Sequence, residues 1–123
     1  MAHTQNELNR CAWTILVNVA REREYITYQE LANRINRSIG TTYSAKHIGQ
    51  NALDLIERFC LKQGLPDLTA LVVEQQKEIP GRDFFEANGV PYDLPLPSLR
   101  YRWTLIRDQI WDTSWPQNPP SQW

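Results

Sequence analysis

The sequence predicts a mainly α-helical domain with one small β hairpin. Three observations carry this expectation. Apolar residues recur at helical spacing in four separate stretches, and a helix-capping residue precedes each of them. One stretch, Leu68–Glu74, is instead a short aliphatic run suited to a strand. The 123 residues suffice for one domain with a real core.

The first helix is expected over residues 4–23. Thr4 and Glu7 have capping-box spacing, and Leu8, Cys11, Ala12, Ile15, Leu16 and Val19 form its stripe. Glu24-Tyr25-Ile26 follows as an extended connection. Thr27 and Glu30 repeat the capping pattern ahead of Leu31, Ala32 and Ile35, a short second helix ending near Arg37-Ser38. Residues 39–43 form a turn around Gly40. Ser44 then caps a longer third helix with Ile48, Ala52, Leu55, Ile56 and Phe59 on its buried face, stopped by Gly64 and Pro66.

Leu68–Glu74 is expected as a strand, residues 75–78 as a polar tip, and Ile79–Phe84 as a returning arm broken at Pro80-Gly81. A helix pair followed by two arms is the order of a winged helix-turn-helix. Residues 88–97, with Gly89, Pro91, Pro95 and Pro97, read as a linker. Ser98 caps a last helix whose face is Leu99, Trp103, Ile106 and Ile110. The domain is therefore expected over residues 1–115, with extra elements at both ends and a Pro/Trp-containing tail at 116–123.

Composition excludes several function classes. The net charge is −1, so no global field draws the chain to polyanions. The charge is uneven, however. Residues 21–50 carry Arg21, Arg23, Arg34, Arg37 and Lys46 against Glu22, Glu24 and Glu30, whereas residues 54–98 carry four basic and eight acidic side chains. A polyanion would meet the first half. Two cysteines and two histidines, with neither CxxC nor HxxxH spacing, make no metal site. Cys11 and Cys60 fall on apolar stripes and are expected as buried free thiols. No phosphate loop and no Ser-His-Asp set is present, and no cofactor is expected. Asp54 and Glu57, three apart on a helix, read as a solvent-facing pair. No apolar run is long enough to cross a bilayer and no signal-peptide core opens the chain, so the cytoplasm is the expected location.

One stretch is more specific. Tyr25-Ile26-Thr27-Tyr28-Gln29-Glu30-Leu31-Ala32, then Ala45-Lys46-His47-Ile48-Gly49-Gln50-Asn51-Ala52, then Leu65-Pro66-Asp67 with Leu71-Val72-Val73, stand in sequence order. Together, across residues 24–84, they resemble the winged-helix DNA-binding domain of O6-alkylguanine-DNA alkyltransferases. The resemblance implies that Tyr28 presses on a phosphate and helps rotate a nucleotide outward, and that Lys46 fills the space left in the stack. Asp67 stands where that family has its acceptor cysteine, and Leu68 and Thr69 replace the histidine and arginine that follow it. The resemblance therefore implies no alkyl transfer, and hence no enzyme, but a non-catalytic, alkyltransferase-like protein that binds double-stranded DNA.

The expected DNA-binding residues are Tyr28, Lys46, His47, Gln50, Asn51 and Arg82. Gln50 and Asn51 are residue types that pair bidentately with adenine, and Arg82 sits on the expected wing. Plainer roles exist for each group: packing for Tyr28, a solvated first turn for Lys46 and His47, a turn for Asp67, and a salt bridge to Asp83 or Glu86 for Arg82. The acidic second half and Trp111, Trp115 and Trp123 suggest an alternative, a protein-binding module acting on a basic, nucleic-acid-handling partner: an immunity protein, a phage inhibitor or a defence-complex subunit.

Overall fold

The computed structural model describes residues 5–116 and 118–123. The chain runs α1 (Gln5–Arg21), β1 (Ile26–Thr27), α2 (Tyr28–Ile39), α3 (Ala45–Ile48), a π-helical turn (Gly49–Leu53), α4 (Asp54–Lys62), a 3-10 turn (Leu68–Leu71), β2 (Val72–Val73), α5 (Arg82–Ala87) and α6 (Leu96–Asp112). It is mainly helical with a two-stranded sheet, as the periodicity predicts. Among the described residues no helix is long and apolar enough to cross a membrane.

The helix α1 is the central post. It buries Leu8, Ala12, Trp13, Leu16, Val17, Val19 and Ala20, and packs against α2, the π-helical turn, the 3-10 turn, α4 and α6. With neighbours on so many sides its buried face is wider than one stripe, so Trp13 is fully enclosed while Cys11 and Ile15 are only half-buried. The expected cap Thr4 lies outside the described residues. Both thiols are free; Cys60 is buried, as expected, but Cys11 is not fully so.

Thr27 caps α2 through its hydroxyl, which accepts from the Glu30 amide at 3.1 Å. The Glu30 carboxylate itself turns to Arg34 at 3.1 Å. Thr27→Ala is expected to cost about 1 kcal/mol, measured as a shift in urea midpoint at unchanged slope. Gly40 closes the helix at φ 69°, its amide bonded to the Asn36 carbonyl, a conformation that glycine adopts without strain. The predicted third helix is real, but it is broken into α3 and α4 by the π-helical turn, which hydrophobic spacing does not reveal.

The hairpin is where structure and expectation part. The two strands are parallel: Ile26 pairs with Val72 and Thr27 with Val73. Residues 68–71 wind into a 3-10 turn because Asp67 Oδ1 accepts the Thr69 amide at 3.0 Å, taking a donor that a ladder would need. Residues 74–79 close a tight loop, with the Glu74 amide donating to the Ile79 carbonyl at 2.8 Å. The expected second arm is instead α5. Pro80 has no amide to give a ladder, Gly81 begins a helix, Asp83 favours its first turn, and Phe84 and Phe85 bury its inner face.

The helix α6 starts at Leu96, two residues before the expected cap, with Pro97 in its first turn. It buries Leu99, Trp103 and Ile110, and the Trp103 indole donates to the Ala70 carbonyl at 2.7 Å. The C-terminal tryptophans fold back on the core. Trp115 is buried, with its indole on the Ile110 carbonyl at 2.9 Å. Trp123 meets Trp13 and Phe59 edge-on, and its indole donates to Asn6 at 3.1 Å. Trp111 donates to the Glu24 carbonyl at 3.0 Å and lies under the Arg107 guanidinium at 4.3 Å.

Candidate nucleic-acid interface

The helices α2 and α3 are joined by a turn that one side chain organises. The Asn36 amide donates to the Tyr43 carbonyl at 2.9 Å, while its oxygen accepts from the Tyr43 amide at 2.9 Å and the Thr41 hydroxyl at 2.8 Å. Ser44 then caps α3, accepting from the His47 amide at 3.1 Å. A residue so bonded fixes the angle between the helices, and with it the direction in which Lys46 and Gln50 project. Both of these side chains are exposed.

Beside them lies a cavity of about 500 Å³ between the α3–π-turn segment and the start of α5. Ala45, Gly49 and Leu53 form one wall, and Tyr28, Gly81 and Phe84 the other. Lys46, Gln50 and Arg82 stand among its lining residues as the long polar side chains, and Asp54, Glu57, Thr69 and Asp83 complete it. The lining mixes apolar surface with charged side chains of both signs.

Its most unusual feature is a carboxyl pair. Asp67 is buried, and its oxygens accept from the Thr69 amide at 3.0 Å, the Thr69 hydroxyl at 2.6 Å and the Asn88 amide group at 2.9 Å. Glu57 hydrogen-bonds the same carboxyl. Two carboxyl groups in contact share a proton. With three donors already on Asp67, Glu57 is the member that carries it. Burial, then the Asp67 charge and hydrogen bond, then Asp54 and Asp83, push Glu57 up to about 8. Burial likewise raises the Tyr28 hydroxyl, against the hydrogen bond it accepts from the Gly81 amide at 3.1 Å. The neighbouring Cys60 thiol is pushed up to about 12, chiefly by burial, and is no nucleophile.

The fold thus brings Tyr28, Lys46, Gln50 and Arg82 round one cavity. Tyr28 is half-buried and ties α2 to the Pro80-Gly81 corner. Arg82 is exposed, 3.7 Å from Glu86 and 5.1 Å over the Tyr92 ring, and stands on a helix instead of a wing. His47 and Asn51 are not part of the cavity lining. His47 stacks on Tyr43 with centroids 4.6 Å apart, and the Asn51 amide donates back to the His47 carbonyl at 2.8 Å. That bond holds the Asn51 side chain along its own helix.

Glu57 and Asp67 are the residues that sequence reasoning missed. Glu57, expected to face solvent with Asp54, is half-buried against Asp67, and Asp67 is a buried cap, not only a turn residue. Their ten-residue separation spans a helix end and a turn, so no spacing signals the contact. No family model, no curated protein and no solved structure matches this chain.

Proposed function

We propose that this chain is a non-catalytic DNA-binding protein of helix-turn-helix type, resembling alkyltransferase-like proteins, that holds a nucleotide turned out of the duplex without reacting with it. The observation that carries the reading is the convergence of Tyr28, Lys46, Gln50 and Arg82, four of the six side chains expected to touch DNA, around one cavity beside α3. A cavity of about 500 Å³ has room for one nucleobase. Lys46 and Arg82 offer charge to the backbone, and Gln50 an amide to a base edge. Asp67 in the acceptor position, and a Cys60 thiol held protonated by burial, support binding without alkyl transfer.

The protein-binding alternative draws on the acidic second half and on Trp111, Trp115 and Trp123 as anchors. Trp115 is buried, and Trp123 spends its ring on Trp13 and Phe59. Two of its three tryptophan anchors are thus engaged within the fold.

Fluorescence anisotropy with a labelled random-sequence duplex tests the reading. Binding is expected to weaken steeply between low and moderate salt, as phosphate contacts require. Lys46→Ala is expected to lower affinity about 3–10-fold at every sequence and to reduce the salt slope by about 1. No binding at low salt sinks the proposal.

A further inference from the structure

The cavity has a polarity of its own. At its floor, away from Lys46, Gln50, Arg82 and the Tyr28 hydroxyl, the polar side chains that line it, Asp54, Glu57, Thr69 and Asp83, present acceptors. Glu57 donates a hydrogen bond to Asp67 through one oxygen, which leaves its other oxygen to accept. The Thr69 hydroxyl is oriented by its 2.6 Å bond to Asp67, so its lone pairs are what it offers. Asp83, and Asp54 beside Arg58, add only acceptors. Such a floor selects a ligand that donates N–H. Planar groups that do so include a guanidinium and an amino-bearing heterocycle. Lys46 and Arg82, both exposed on the same cavity, favour the heterocycle of a nucleotide, which brings an anion for them as well as N–H donors. Among the described residues no three His, Cys, Asp or Glu side chains are grouped to hold a metal ion.

We propose that the cavity takes a nucleotide whose base carries an exocyclic amino group, seating the amino edge on Glu57 and Thr69 with its phosphates beside Lys46 and Arg82. This rests on the DNA-binding reading above and adds to it the chemical class of the base. A base that lacks the amino group leaves the floor acceptors unpaired and desolvated, which is the strongest way a pocket rejects a near-isostere.

The test uses the full chain and hairpin duplexes with one unpaired nucleotide, because an unpaired base costs less to turn out. Matched pairs remove the amino group: adenine against purine and guanine against hypoxanthine, where hydrogen replaces it, and cytosine against uracil, where a carbonyl replaces it. Each amino-bearing member is expected to bind about tenfold more tightly or better than its partner. Glu57→Gln, whose amide can donate to Asp67 and keep an oxygen towards the cavity, is expected to retain the preference. Glu57→Leu is expected to lose the preference. Because the matched pairs are read on the unaltered protein, the test survives a variant that fails to fold.

Equal affinity within all three pairs overturns the inference and leaves DNA binding standing. Free dCMP preferred over dUMP, with no duplex bound at low salt, supports the amino-reading floor and overturns the DNA source. An arginine-rich peptide that binds the cavity, with no nucleotide of either form bound, overturns both.

Discussion

Trp13→Ala is expected to cost about 3–5 kcal/mol of folding stability, enough to leave a domain of this size largely unfolded near 37 °C if it began at the low end of the usual range. Trp13 is fully buried on the central helix, with Phe59, Trp115 and Trp123 edge-on to it at 5.7–5.8 Å. Removing the ring opens a cavity that three aromatic neighbours cannot all move to fill. It also releases the C-terminal segment, since Trp123 packs on Trp13. Thermal and urea unfolding should therefore show a lower midpoint, together with faster proteolysis after Trp111. Trp13→Phe should cost much less. The Trp13 indole N–H is buried without an N or O acceptor, so phenylalanine removes an unsatisfied donor while keeping most of the ring contacts. A loss as large for phenylalanine as for alanine would show that the N–H has a partner after all.

The elements that local chemistry dictates were legible in the sequence. Thr27 and Ser44 cap the helices they were expected to cap, Gly40 and Gly64 take positive φ where helices stop, and Leu31, Ala32 and Ile35 are the buried face of α2. The expected arms failed at two residues whose influence is not periodic. Asp67 captures a backbone amide and winds the aliphatic run into a 3-10 turn, and Pro80 ends pairing so that Phe84 and Phe85 are buried from a helix. Aliphatic runs as short as 68–73 fit a strand, a turn or a helix segment equally, and tertiary pairing decides. The Lys46–Gln50 half of the candidate site was legible because exposed side chains on a capped helix follow from its period. The Glu57–Asp67 half was not, because a buried carboxyl contact exists only after α4 and the 3-10 turn have met.

That contact makes stability depend on pH in an unusual direction. Most carboxyl groups in folded proteins have lowered pKa values and add stability as pH rises; Glu57 does the reverse. Its ordinary value of 4.5 applies to the unfolded chain, whereas in the fold it is raised to about 8. Between those values the folded protein holds a proton that the unfolded chain has released, so stability falls as pH rises from about 4.5 to 8 and is flat for this group above. Because solvent reaches a half-buried side chain, the loss is discounted to about 1–3 kcal/mol. Glu57→Gln keeps the bond to Asp67 and has no proton to lose. It is expected to match the wild type near pH 4.5 and exceed it by that margin near pH 8.5, read from urea midpoints across the interval. The upper limit stays below the ordinary value of 9.0, from which the buried Cys60 thiol, raised in the fold to about 12, would begin to contribute. Parallel pH profiles for the two proteins would mean that Glu57 ionises normally, and that the floor of the cavity carries a full charge where the proton was placed.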